Sequence, residues 1–266
     1  MRKTIIAIII ASCSVLFSAC ITTTLLLKYA TTDNSIDDRG CKKSLFSVAE
    51  GRTIKFTVGN LSGSQRDVSD LSKRYGEEKY GTGWDLDFSG YKTDGYYSTE
   101  SYLFGECNNV RIKRGDKIVD GYRLLTAEEW EYLLFKRAAS TIGGVENARF
   151  VIGKVNYKNG LIIFPDNYKH PRGVPEIFGA NDRNGIPMDN SFNELEWDKM
   201  SQAGAIFLVE PCYSNCANRP SGYITSSRDK DGQVGFLYIS TVLYRDVKII
   251  WARNDREGLA RLVVDN

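Results

Sequence analysis

A chain of 266 residues, 42% hydrophobic and 26% charged, has the composition of an ordinary globular protein, with length for one large domain or two small ones beside an N-terminal address segment. Its 35 basic and 33 acidic residues nearly cancel, leaving a net charge of +2. That balance argues against a nucleic-acid partner, because proteins that grip phosphate backbones concentrate basic charge on one face.

The N-terminus is laid out as an export signal. Arg2 and Lys3 precede the apolar run "TIIAIIIASCSVLFSAC". The run closes on Leu16-Phe17-Ser18-Ala19-Cys20, which resembles a bacterial lipobox. Ser18 and Ala19 are the small residues its peptidase needs, Phe17 stands where Leu is usual, and Cys20 would become the lipid-bearing first mature residue. Residues 4–27 also suffice for an uncleaved anchor, which takes about 20 residues; an ordinary cleaved signal is the third option. Each places the remaining chain outside the cytoplasmic membrane, anchored in the first two cases. Residues 1–20 are read as the signal, 21–43 as a polar tether and 44–266 as one domain.

An exported chain permits disulfides. Beyond Cys13 and Cys20 the cysteines are Cys41, Cys107, Cys212 and Cys216. In "PCYSNC" the last two are close enough to staple their own loop, leaving Cys41 with Cys107; free thiols are the alternative. Zinc is disfavoured, since Cys212 and Cys216 lack a second ligand pair and His170 is the single histidine.

In "RTIKFTV", Ile54, Phe56 and Val58 alternate with polar residues, as in a half-buried strand. Residues 84–106, rich in Gly, Tyr and Asp, read as an irregular loop layer. "DLDFSGYKTDGY" starts like a calcium loop with Asp85, Asp87 and Gly90, but Tyr96 stands where the bidentate Glu is required. "GYRLLTAEEWEYLLFKRA", residues 121–138, reads as a helix. Thr126 and Glu129 have the spacing of a capping box, and Trp130, Leu133, Leu134 and Ala138 share a buried face. Glu128 and Glu131 belong to the solvated side. In residues 149–165, two apolar runs flank Asn159-Gly160, a hairpin signal. A second capping box is expected at Ser191 and Glu194, with Trp197 and Met200 on one face and Gly204 ending the helix. The late segments "AIFLVE", "GYITSSR", "GFLYISTV", "KIIWARN" and "LARLVV" are read as strands. Few helices and many late strands imply an α+β fold with antiparallel sheet.

Several segments taken together resemble a known superfamily. "GYRLLTAEEWEYLL" is similar to the Arg-Leu-Pro-Thr-x-x-Glu-Trp-Glu-Tyr signature of formylglycine-generating enzymes, with Leu125 in place of Pro, and "ARLVVD" resembles their closing strand. With "FSVAEGRTIKFTVGNL", "ARFVIGKVNYKNGLIIFPDNY" and "LEWDKMSQAGAIFLV", the set is closer to a non-catalytic branch of exported gut-anaerobe proteins. The resemblance covers residues 46–266. It implies a C-type-lectin-like fold in which two helices flank antiparallel sheets and long loops present a variable surface.

The oxidase chemistry of that superfamily implies a reactive cysteine pair near the C-terminus, and no cysteine follows Cys216. A reactive thiolate would also need a basic neighbour such as Arg219. With no hydrolase elbow and no phosphate loop, no catalytic residue, metal or cofactor is expected. The resulting expectation is a surface-anchored binding protein for a glycan or protein partner. Its ligand face is placed on Tyr213, Tyr223, Arg228, Tyr238, Tyr244 and Arg245, with Trp251 assigned to the core. A surface-assembly subunit (adhesin or pilus type) and a residual oxidase are the alternatives.

Overall fold

The computed structural model describes residues 35–62, 85–86, 97–98, 110–114, 117–181, 190–210, 222–241, 246–252 and 257–266. The chain begins with β1 (Phe46–Ala49) and β2 (Arg52–Phe56), a hairpin in which Ala49 pairs with Arg52 around Glu50-Gly51. Short strands β3 (Leu61–Ser62), β4 (Asp85–Leu86) and β5 (Tyr97–Ser98) follow, then β6 (Val110–Arg114) and β7 (Lys117–Tyr122). Helix α1 (Ala127–Glu131) runs into a π turn (Tyr132–Lys136). Next come β8 (Phe150–Val155), β9 (Lys158–Ile163), β10 (Ser191–Phe192), α2 (Glu194–Gln202) and β11 (Ile206–Val209). The C-terminal part holds β12 (Tyr223–Arg228), β13 (Val234–Ser240), β14 (Asp246–Ala252), β15 (Glu257–Gly258) and β16 (Val263–Asp265).

The class is α+β, with mostly antiparallel sheets and two short helices. Three sheets have more than two strands, ordered β1-β2-β16, β10-β8-β9-β11 and β12-β13-β14. Among their pairings only β10 with β8 is parallel. The first sheet joins the C-terminal strand to the first hairpin, Val263 standing opposite Phe56. The main core gathers Phe46, Phe56, Trp130, Leu133, Phe150, Ile162, Trp197 and Phe207. A second cluster around Tyr122, Ile224, Val234, Phe236 and Leu262 lies against the other face of the third sheet.

α1 opens on the expected capping box. The Thr126 hydroxyl accepts from Glu129 N–H at 3.1 Å, and Glu129 returns a carboxylate to Thr126 N–H at 2.9 Å. Trp130, Leu133 and Leu134 are buried, whereas Ala138 is exposed beyond the helix. Arg137 is the reason. Its guanidinium is fully buried, paired with Asp166 and bonded to Phe164 O at 2.6 Å. Its Nε donates to Leu133 O at 2.7 Å while its backbone N–H reaches back five residues to Tyr132 O. Drawing Arg137 inward widens the last turn and stops the helix before Ala138.

Three other expectations shift. The hairpin at 149–165 forms, but it turns at Asn156-Tyr157, both with positive φ, and Val155 pairs with Lys158. Asn159 and Gly160 lie inside β9, where a Cβ on Gly160 would stand 2.3 Å from Leu208 O and 2.6 Å from the Phe207 ring. The glycine is required by close packing of β11, and the turn lies elsewhere. The second capping box uses Asn193 and Glu196, because Ser191 is held in β10 against Lys154. Trp197 and Met200 are buried, and Gly204, at φ +99°, follows the helix C-terminus. The alternation in the first strand ends at Phe56: Thr57 is buried, its hydroxyl bonded to Gly59 O and Leu262 O, and Val58 is half-buried.

One compact unit runs Ser35–Asn266 and takes in residues 35–43 of the expected tether. Cys41 bridges to Thr57, and the buried Lys42 donates Nζ hydrogen bonds to Ser201 O and Ser201 Oγ, both at 2.8 Å. Residues 1–34, including Cys20, lie outside the described residues. Among the described residues no helix is long and apolar enough to cross a membrane; the 4–27 run is not among them.

Candidate functional site

Among the described residues, a cleft of about 470 Å³ lies between the first hairpin and α1. The hairpin contributes Val48, Ala49 and Arg52, and the helix contributes Thr126, Glu128 and Glu129. Tyr132 and Lys136 enter from the π turn, and Arg123 completes the lining. π turns occur often at functional sites, because the extra residue redirects side chains that a regular helix would place elsewhere.

Ion pairs assemble the walls. Arg123 sits where its backbone bridges to Val263 in both directions at 2.9 Å, which places its side chain beside β16. The guanidinium forks onto Glu129, with Nη1 to Oε2 at 2.7 Å and Nη2 to Oε1 at 2.9 Å, and it also reaches Asp265 Oδ1 at 2.6 Å. Arg52 Nη2 adds a bond to Glu129 Oε1 at 2.8 Å. Glu129 therefore joins two arginines from distant parts of the chain while it caps the helix.

The charges respond to these contacts. Burial works against the Arg123 cation, but hydrogen bonds to Asp265 and Glu129 outweigh it and hold the group above its ordinary value. The Asp265 carboxyl is held below the usual range, first by its bond from Arg123. Glu128 is also lowered, by its own backbone N–H and by the Thr126 and Ser227 hydroxyls. Its exposed position fits the solvated side assigned to it.

Not every polar group in the cleft is consumed by the fold. Arg52, with its side chain 58% exposed, donates one side-chain hydrogen bond among the described residues, to Glu129. Lys136 is exposed, and no ion pair engages it among the described residues. The half-buried Tyr132 likewise has no hydroxyl partner among them. Two cations and one phenol thus face a concave surface with hydrogen-bonding capacity to spare.

Of the six residues assigned to a ligand face from the sequence, two are buried, one is exposed and three lie outside the described residues. Tyr223 is 0% exposed, its hydroxyl donating to Val209 O at 3.1 Å. Tyr238 is 7% exposed, with Lys248 Nζ 5.8 Å from its ring centre. Both are packing residues: β13, which carries Tyr238 and pairs with Tyr223 of β12, is buried at every residue. Arg228 is exposed and bonds Gly232 O at 3.0 Å. Trp251, assigned to the core, is instead 40% exposed on β14 opposite Gly235. Tyr213, Tyr244 and Arg245 lie outside the described residues, as do Cys107, Cys212, Cys216 and most of the calcium-like loop. Cys41 is buried.

Sequence reasoning located the element that carries the cleft but not Arg52, Tyr132 or Lys136. The spacing of Arg123 and Glu129 across the cap was the available signal, since it suits a fork closing over the first helical turn. Among the described residues no group of three or more acidic, His or Cys side chains is arranged to hold a metal ion. The chain matches no protein-family model, no curated protein and no solved structure.

Proposed function

We propose that this chain is a membrane-anchored, exported binding protein of the C-type-lectin-like, formylglycine-generating-enzyme-related type, presenting a ligand site for a glycan. The observation that carries the reading is the cleft in which Lys136, the Tyr132 hydroxyl and the remaining donors of Arg52 are not engaged by the fold among the described residues. A site of about 470 Å³ with a small apolar contact and a few convergent polar groups suits a small ligand. The Thr126–Glu129 box lies in the segment that resembles the family signature, and β16 lies in the segment that resembles its closing strand. The lipobox-like stretch ending at Cys20 supports attachment through a lipid.

The test is a glycan array probed with the purified 266-residue chain in detergent micelles, beside a variant carrying Arg52→Gln and Lys136→Gln. Saturable binding that the variant loses while keeping its circular dichroism is the expected result. An array with no saturable binding to any glycan would remove the reading.

A second reading, a subunit of a surface assembly, is favoured by one observation. Tyr157 is 95% exposed at the β8–β9 tip with φ at +66°, a conformation that disfavours a bulky side chain. Exposed Leu195 lies near it in the fold, since Asn156 N–H donates to Phe192 O just ahead of α2. Concentration-dependent self-association abolished by Tyr157→Ser, together with an empty array, would favour this reading.

A further inference from the structure

Resting on the binding-protein reading above, we infer that the cleft takes a carboxylate-bearing saccharide of the hexuronate or sialate class, with Arg52 and Lys136 holding the carboxylate and Tyr132 supporting the sugar ring. The charge pattern selects the ligand. Arg123 is neutralised by Glu129 and Asp265, and Arg52 gives one bond to Glu129, so the attraction available to a ligand comes from the remaining donors of Arg52 and from Lys136. A planar guanidinium with donors to spare matches a carboxylate in a two-bond fork. Glu128 is placed to accept from sugar hydroxyls.

The shape agrees. The half-buried Ala49, backed by the buried Val48, offers a small apolar contact for the C–H face of a pyranose, and Tyr132 offers a ring with a polar tip. The volume suits one or two sugar units better than an extended chain. The arrangement is also rigid. Glu129 is pinned by Arg123, Arg52 and the Thr126 N–H, and the π turn is fixed from beneath by the buried Arg137. A preformed site of this kind spends little of its binding free energy on ordering.

Isothermal titration calorimetry on the 266-residue chain tests the inference with three pairs of probes and a set of variants. Trigalacturonate is compared with its methyl ester, sialyllactose with lactose, a sulfated galactose disaccharide with its unsulfated form, and wild-type chain with Arg52→Gln, Lys136→Gln and Tyr132→Ala variants. The expected result is binding of an acidic sugar that weakens about tenfold or more when its carboxylate is esterified or absent. Rising salt should weaken it as well. Each cation variant should lose about tenfold in affinity without a change in circular dichroism, because both side chains are exposed. Equal binding of acid and ester overturns the inference, as does wild-type affinity in both cation variants. A preference for the sulfated probe overturns the carboxylate assignment. No binding of either acidic sugar overturns it too. If neutral glycans still bind on the array, the binding-protein reading stands while this inference falls; an empty array with empty titrations removes both.

Discussion

Glu129 is bonded to three separate parts of the chain, namely Arg52 in the first hairpin, Arg123 before the helix and the Thr126 backbone at the cap. Its pair with Arg123 is nearly dry, with side-chain exposures of 6% and 11%. Without Glu129 the buried Arg123 keeps Asp265 as its carboxylate partner, a side chain 63% exposed, and loses the partner that is buried with it. Glu129→Gln is therefore expected to lower stability by about 3 kcal/mol or more. Arg52→Gln, which breaks the solvent-exposed arm, should cost under about 1 kcal/mol. Urea unfolding monitored by circular dichroism measures both, and similar losses for the two variants would contradict this division. Asp265 adds a pH dependence. Its folded-state pKa lies below its unfolded value, so its contribution is complete above the unfolded pKa, about 3.9, and is lost as pH falls through the folded one. Stability followed from pH 6 to pH 2 should fall less steeply at the acid end in Asp265→Asn than in wild type.

Elements in this protein begin where short-range chemistry says and end where tertiary contacts decide. α1 starts on a box legible from Thr126 and Glu129, because capping involves groups only three residues apart. It ends in a π turn because Arg137 is drawn toward Asp166, a partner no local pattern names. The β8–β9 hairpin makes the same point. Asn-Gly at 159–160 is a good turn sequence, yet the turn forms at Asn156-Tyr157, which puts Leu161, Ile162 and Ile163 in register with β11. Burying those side chains outweighs a better turn, whose preference is confined to two residues. Gly160→Ala should thus destabilise by about 1–3 kcal/mol through overpacking against Phe207. An unchanged urea midpoint in Gly160→Ala would contradict the close packing against β11. The comparison variant Tyr157→Gly, at a positive-φ site, is expected to raise the urea midpoint slightly.

At the scale of the molecule, the folded unit begins at Ser35. A chain shortened to start at residue 44 loses the Cys41 bridge to Thr57 and the Lys42 bonds to Ser201. Those bonds contribute about 1 kcal/mol each, so the melting temperature should drop by several degrees, roughly 2–4 °C per kcal/mol for a domain of this size. Scanning calorimetry on chains starting at 35 and at 44 measures it, and equal melting temperatures would return residues 35–43 to the tether. By itself the amino-acid sequence determined the α+β class, the strand segments of the C-terminal half, the existence of the hairpin and the capped start of α1. All of these rest on periodicity and on contacts within a few residues. The tertiary structure alone decided that Tyr223 and Tyr238 are packing residues, that Trp251 faces outward, and that Arg52 and Lys136 share a cleft. A side chain's exposure depends on what covers it, and here the cover comes from residues dozens to hundreds of positions away.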